Sequence, residues 1–196
     1  MTPNSADTYV QPMPEYFDTP TSTEWAIGLD LSLTGSGIAI ISEDGIRTAL
    51  ITSSGARTDT LRDRWERQNR IVQQVCRFLY EGPLVVIEQP AYSQTAGSQH
   101  DRSGLWWRIV NHAHELTDVV EVAPTTLKKY ATGKGNASKD EMLAAAIHRY
   151  PAADVTNNNV ADAVHLAAMG ARFMGHPQEA DTVKIAEAMT VPKWVA

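Results

Sequence analysis

The chain has 196 residues, 43% hydrophobic and 20% charged, with a formal net charge of −6, which suits one soluble globular domain with tails. No apolar run approaches the roughly 20 residues that a membrane-spanning helix needs, and the single cysteine, Cys76, excludes an intramolecular disulfide and a cysteine-built zinc site. The N-terminus has no basic segment followed by an apolar core, so no secretory signal is expected, and a reducing cytoplasm is.

Met1 to Thr23 is rich in Pro, Thr and Ser without periodicity and reads as a flexible arm, leaving 24–175 as the folded domain. Trp25 to Leu31 is an apolar run expected to form a strand buried on both faces. Gly35-Ser36-Gly37 reads as a turn before a second strand, Ile38 to Ile41. Asp44-Gly45 is a hairpin signal leading into a third strand, Thr48 to Thr52. A helix is expected over Thr58 to Tyr80, with Leu61, Trp65, Val72, Val75 and Leu79 as its apolar stripe. Arg57, Arg62, Arg64, Arg67 and Arg70 alternate with acids there and read as a solvated face.

Gly82-Pro83 stops that helix, and Leu84 to Glu88 forms a short strand. Tyr92 to Ser103 reads as a polar loop, Leu105 to Leu116 as a helix and Val119 to Val122 as a fifth strand. Pro124 suits the first position of a short helix. Ser138 and Glu141 form a capping box that starts another helix at Lys139, and Pro151 ends it. Asn157 to Met174 is the last core helix. The remaining 176–196 reads as a C-terminal tail with a weak helix over Ala180 to Met189. Hairpin strands followed by alternating strands and helices predict an α/β fold, a mixed five-stranded sheet flanked by helices.

Three acids stand where apolar residues belong. Asp30 ends the first strand, Glu88 closes Val-Val-Ile-Glu, and Asp162 interrupts an apolar helix. An unpaired buried carboxylate costs several kcal/mol, and a divalent cation compensates it well. Singly, each has a plain reading, as a turn cap, an arginine partner or a solvated helix residue. Together they suggest a site assembled from distant parts of the chain. The net charge weighs against nucleic-acid binding, but Pro124 to Lys139 holds four lysines and no acid. Carboxylates can also meet phosphates through bound cations.

Five segments in order carry a resemblance: Gly28-Leu29-Asp30-Leu31-Ser32, Val86-Ile87-Glu88-Gln89-Pro90, Val122-Ala123-Pro124 with Lys128-Lys129, Gly133 to Lys139, and Asn159-Val160-Ala161-Asp162-Ala163. Across Trp25 to Met174 the chain resembles the RuvC family of Holliday-junction resolvases, in the ribonuclease H-like superfamily. That resemblance implies an endonuclease that cuts branched DNA, junctions first and forks or flaps second, and leaves 5′ phosphates. It implies two Mg²⁺ ions per site, with Mn²⁺ as substitute, about 4 Å apart. Asp30, Glu88 and Asp162 would hold them. Asn159 stands where the family carries Asp or His and offers a neutral carbonyl oxygen. Paired incision of a two-fold junction implies a homodimer, and tails of this kind make a phage origin an expectation.

The resemblance also implies DNA-facing residues. Lys139 would sit beside the scissile phosphate at a helix N-terminus, with Lys128, Lys129 and Lys134 nearby. Tyr92 lies in a loop where the family carries an aromatic that stacks on bases at the branch, with a plain loop anchor as the equal alternative, and Arg102 and Arg108 could hold phosphates. Trp106 and Trp107 read as core or interface residues, His165 as a packing histidine and Cys76 as a buried thiol. Two other functions stay open. Asp30 to Gly37 is similar to the phosphate-binding hairpin of the actin, Hsp70 and sugar-kinase ATPases, and Asn159 would fit a non-catalytic branched-DNA-binding relative.

Overall fold

The computed structural model describes residues 23–90 and 99–195. The first three strands are β1 (Glu24–Asp30), β2 (Gly35–Ser42) and β3 (Gly45–Thr52). Helix α1 (Leu61–Cys76) leads to β4 (Leu84–Glu88), and α2 (Gln99–His114) to β5 (Val119–Val122). Four helices follow, α3 (Pro124–Thr132), α4 (Lys139–Arg149), α5 (Asn158–Phe173) and α6 (Val183–Met189). The sheet order is β3-β2-β1-β4-β5, antiparallel across the two hairpins and parallel from β1 to β5. This is the mixed five-stranded sheet that the sequence predicts.

Register fixes the geometry that matters most. Leu29 pairs with Ile87 across the parallel β1–β4 ladder. The next residues, Asp30 and Glu88, therefore emerge side by side at the carboxyl ends of the two central strands. In open α/β sheets this edge is where ligands gather.

Each face of the sheet carries its own core. Ala26, Ala39, Ile41 and Val86 pack under α5, with α3, α4 and α6 outside it. Ile27, Leu29, Ile38, Ile40 and Val85 pack against α1 and α2. Helix α5 lies unusually close to the strands. A Cβ on Gly28 would fall inside the radii of the Ala163 carbonyl oxygen and Ala167 amide nitrogen, and one on Gly37 would strike the Asn159 carbonyl.

Gly35 to Gly37 is consequently strand, not turn; its glycines make room for α5. The turn occupies Leu31 to Thr34. There the Ser32 hydroxyl oxygen accepts from the amides of Thr34 (3.2 Å) and Gly35 (2.9 Å), while the Ser36 hydroxyl accepts from the Ser32 amide (3.1 Å). Helix α1 is shorter than Thr58 to Tyr80, and Leu61 and Trp65 at its start are 76% and 57% exposed. Its buried contacts begin at Ile71, where the helix reaches the sheet.

Helix α2 begins at Gln99, inside the segment expected to be loop. Its polar first turn is tied down by Asp101, which pairs with Arg64 of α1 at 3.3 Å. The C-terminal segment, read as a tail with a weak helix over Ala180 to Met189, holds α6 there and packs on the domain. The Glu179 carboxylate accepts hydrogen bonds from the hydroxyls of Tyr130 and Tyr150 (2.8 Å for Tyr150) and from Arg172 Nε (2.8 Å). His176 stacks on Trp25 and Trp194 on Phe173, with centroids 3.9 and 4.8 Å apart. Among the described residues no helix is long and apolar enough to cross a membrane.

Candidate active site

Asp30 is buried, and Glu88 beside it is half-buried. Their carboxyls lie close enough to act directly on each other. Burial first, then the negative charges of Glu88 and Asp162, hold the Asp30 carboxyl well above the usual carboxylate range. Burial and then the charge of Asp162 push Glu88 up to about 7. Burial alone raises Asp162 to about 6. Three carboxyls with raised proton affinities, two of them in the field of the third, form a common arrangement of functional sites.

Helix α5 delivers the third acid. Asn157 caps it, its side-chain oxygen accepting from the amides of Asn159 (2.9 Å) and Val160 (3.1 Å). That cap puts Asn159 on the first turn and Asp162 one turn later, on the side facing β1. Asn159 reaches the same cleft as Asp30 and Glu88, with its amide against Gly35. One oxygen of Asp162, Oδ1, is buried without a hydrogen-bond partner. Among the described residues no three His, Cys, Asp or Glu side chains stand close enough together to hold one metal ion by themselves. Asp30 and Glu88 form the tight pair, and Asp162 joins them through its charge.

Opposing positive charge comes from two lysines. Lys128 and Lys139 lower the proton affinities of Glu88 and Asp162, and Lys139 that of Asp30. Lys139 follows the Ser138 capping box, in which the Ser138 hydroxyl accepts from the Glu141 amide (3.2 Å) and Glu141 accepts from the Ser138 amide (2.8 Å). The other two expected lysines are engaged elsewhere. Lys134 pairs with Glu141 at 2.9 Å and Lys129 with Glu187 at 2.8 Å. Arg102 lines the cleft, whereas Arg108 turns towards α1 and donates to Asn69 Oδ1 at 2.7 Å. Tyr92 lies outside the described residues.

Two participants escape the sequence reading. Trp106 is buried and donates from Nε1 to the Glu88 carbonyl oxygen at 3.0 Å, fixing the end of β4. Arg67, expected on a solvated face, is half-buried and lines the cleft. It donates to the Leu33 carbonyl and, from Nε, to the Ser53 hydroxyl at 2.9 Å, clamping the turn that follows Asp30. Alternating charge concealed it, because the pattern shows which residues are polar and not which one points inward. His165 is fully buried, its Nε2 3.3 Å from the Met142 carbonyl and its ring edge-on to Tyr150; burial lowers its pKa to about 4, so it is a neutral packing residue.

No family model matches the chain. It is 26% identical over 148 residues to the crossover junction endodeoxyribonuclease RuvC of Rickettsia typhi, a stretch covering 72% of this chain and 92% of that protein. The structure of RuvC from Thermus thermophilus matches with a TM-score of 0.56 at 19% identity, over 79% of this chain and 99% of that one. The same organism's RuvC in complex with a Holliday junction substrate matches at 0.59 and 16% identity, over 79% and 98%. The chain is RuvC-like. The yeast mitochondrial Holliday junction resolvase Ydc2 matches more loosely, at 0.50 and 10% identity over 89% and 85%. The RuvC-like fold is ribonuclease H-like, and the chain spans nearly the whole length of the RuvC proteins it matches.

Proposed function

We propose that this RuvC-like chain is a metal-dependent endonuclease that cuts branched DNA, with Asp30, Glu88 and Asp162 as its metal-binding carboxylates. The observation that carries the reading is the convergence of three acids from three separate elements, each held at a raised pKa by burial, Asp30 also by the charges of Glu88 and Asp162 and Glu88 by that of Asp162. Such a cluster is costly unless cations neutralise it. The orphaned Asp162 Oδ1 and the neutral carbonyl of Asn159 are oxygen donors suited to Mg²⁺ or Mn²⁺. Bound there, two such ions would neutralise the carboxylates and polarise a scissile phosphate for attack by water, which would leave a 5′ phosphate.

The chain's own residues do the rest. Asp30 and Glu88, once ionised, would supply carboxylate oxygens to such cations. The Trp106 indole keeps Glu88 at the strand end, and Arg67 keeps the Leu31–Thr34 turn from drifting over Asp30. Lys139 and Lys128 face the acids and hold the phosphodiester against them. Arg102 takes a neighbouring phosphate across the cleft. A two-fold branched substrate would be cut by a homodimer, one strand per protomer.

A panel of Holliday junctions, forks, flaps, linear duplex and RNA–DNA hybrid, incubated with protein and Mg²⁺ or Mn²⁺, tests the proposal. Cleavage of branched DNA in preference to linear duplex is expected. Equal cutting of linear duplex defeats the structural specificity, and absence of metal-dependent cutting defeats the enzyme. ATP hydrolysis by the same preparation would favour the ATPase reading of the first hairpin.

A further inference from the structure

Glu179 lies outside the proposed active site, yet its carboxylate gathers three helices that furnish it. Oε1 accepts from the hydroxyl of Tyr130 on α3 and from Nε of Arg172 on α5 (2.8 Å), and Oε2 accepts from the hydroxyl of Tyr150 at the end of α4 (2.8 Å). The Glu179 side chain is only 5% exposed, and both tyrosines are buried. Burial first, with the Glu179 charge beside it, raises both phenols above their ordinary range, so both remain donors. Arg149 of α4 adds a direct tie to α3, donating to the Tyr130 and Ala131 carbonyl oxygens at 3.1 and 2.7 Å.

The three helices are not equally fixed. Helix α5, which carries Asp162, rests on the sheet backbone to backbone at Gly28 and Gly37. Helices α3 and α4 make their main contacts with α5, α6 and each other. They carry Lys128 and Lys139, the two cations that act on the acids. Tyr150 lies about 16 Å along α4 from Lys139, so a small tilt at one end of that helix moves the other. Apolar residues of like volume often stabilise a core as well as a buried ionic cluster does. What directional bonds add is one orientation of the helices they join. Resting on the nuclease reading, we propose that Glu179 is a positioning residue: it seats α3 and α4 on α5 and thereby sets the reach of Lys128 and Lys139 to the phosphodiester.

The test compares wild type with Glu179→Ala, Glu179→Gln and the double variant Tyr130→Phe/Tyr150→Phe, which removes two hydroxyls and keeps the rings. All are measured well below their melting temperatures, for binding of a splayed DNA fork in Ca²⁺ over a range of salt. Affinity should fall roughly tenfold in Glu179→Ala and in the tyrosine variant, the worth of one charge-assisted contact. The slope of log affinity against log salt should become shallower by about one. Glu179→Gln should stay close to wild type, because its amide still offers an acceptor to Tyr130 and Arg172. Mn²⁺ titration should be unchanged throughout, since α5 stays on the sheet. In a Lys128→Ala/Lys139→Ala background the tyrosine substitutions should add nothing. Wild-type affinity and slope in the folded tyrosine variant overturn the proposal. So does a loss that persists in the lysine-substituted background, that Glu179→Gln shares in full, or that comes with weaker Mn²⁺ binding. If wild type neither binds nor cuts the fork, the nuclease reading fails and this inference with it; if wild type does both and the tyrosine variant matches it, only the role of Glu179 fails.

Discussion

The two faces of the sheet are built on different rules. Under α5 the contacts are made by Gly28, Gly37, Gly170 and a series of alanines, and helix backbone comes to rest on strand backbone. Under α1 and α2 the residues are large, the helices stand off, and a cleft opens between α2 and the strand ends. The close face brings Asn159 and Asp162 towards Asp30, and the open face leaves a cleft beside the strand ends. One side of the molecule is specialised for proximity and the other for access.

Substitutions on the close face should therefore have the largest effects. Gly28→Ala places a methyl inside the Ala163 and Ala167 backbone, where no side chain can yield. It is expected to cost at least about 3 kcal/mol, at or beyond the upper end of ordinary overpacking, in urea denaturation. Ile71→Val in the opposite core is expected to cost only about 1 kcal/mol. If the two costs prove equal, α5 is free to shift and the contrast between the faces is wrong.

Activity should be as uneven. Asp30→Asn is expected to reduce Mg²⁺-dependent cleavage roughly a thousand-fold, the loss of several kcal/mol of transition-state stabilisation, while the protein stays folded. Arg67→Ala should lower cleavage about tenfold or less by loosening the turn after Asp30, with Arg67→Lys recovering part of it. Steady-state cleavage of one labelled junction measures both. Asn159→Asp should keep activity and tighten Mn²⁺ binding; weaker binding would place Asn159 outside the metal site.

A smaller and more diagnostic effect concerns pH. Glu88 is raised from 4.5 to about 7 and Asp162 from 3.8 to about 6. Groups raised in this way favour the folded state while protonated. Their contribution is complete below the unfolded values and is lost as pH climbs through the folded ones. Without metal, the melting temperature should fall between pH 5 and pH 8, and Glu88→Gln should flatten that slope. Mg²⁺ should stabilise more at pH 8 than at pH 5. A slope unchanged in Glu88→Gln would show that its carboxyl is not desolvated.

Much of the close face was legible in the sequence. The apolar runs ending in Asp30 and Glu88, the Ser138–Glu141 box and the Asp162 interruption each have a local cause, so pattern alone locates them. What was illegible depends on packing. Gly35 and Gly37 look like turn residues because glycine is used both for turns and for close approach, and only the position of Asn159 distinguishes the two uses. Arg67 and Trp106 act through hydrogen bonds to backbone carbonyls of other elements, and no spacing rule reports such partners. Glu179 is similar: it joins a segment expected to be a tail to tyrosines of the domain.

Asp30, Glu88 and Asp162 are proposed to form one cation site. Calorimetric titration of the protein with Mn²⁺ at pH 8 tests it most directly, with Asp30→Asn titrated in parallel. Two bound ions per chain in the wild type are expected, with at least one lost in Asp30→Asn. Identical isotherms for the two proteins would contradict the claim.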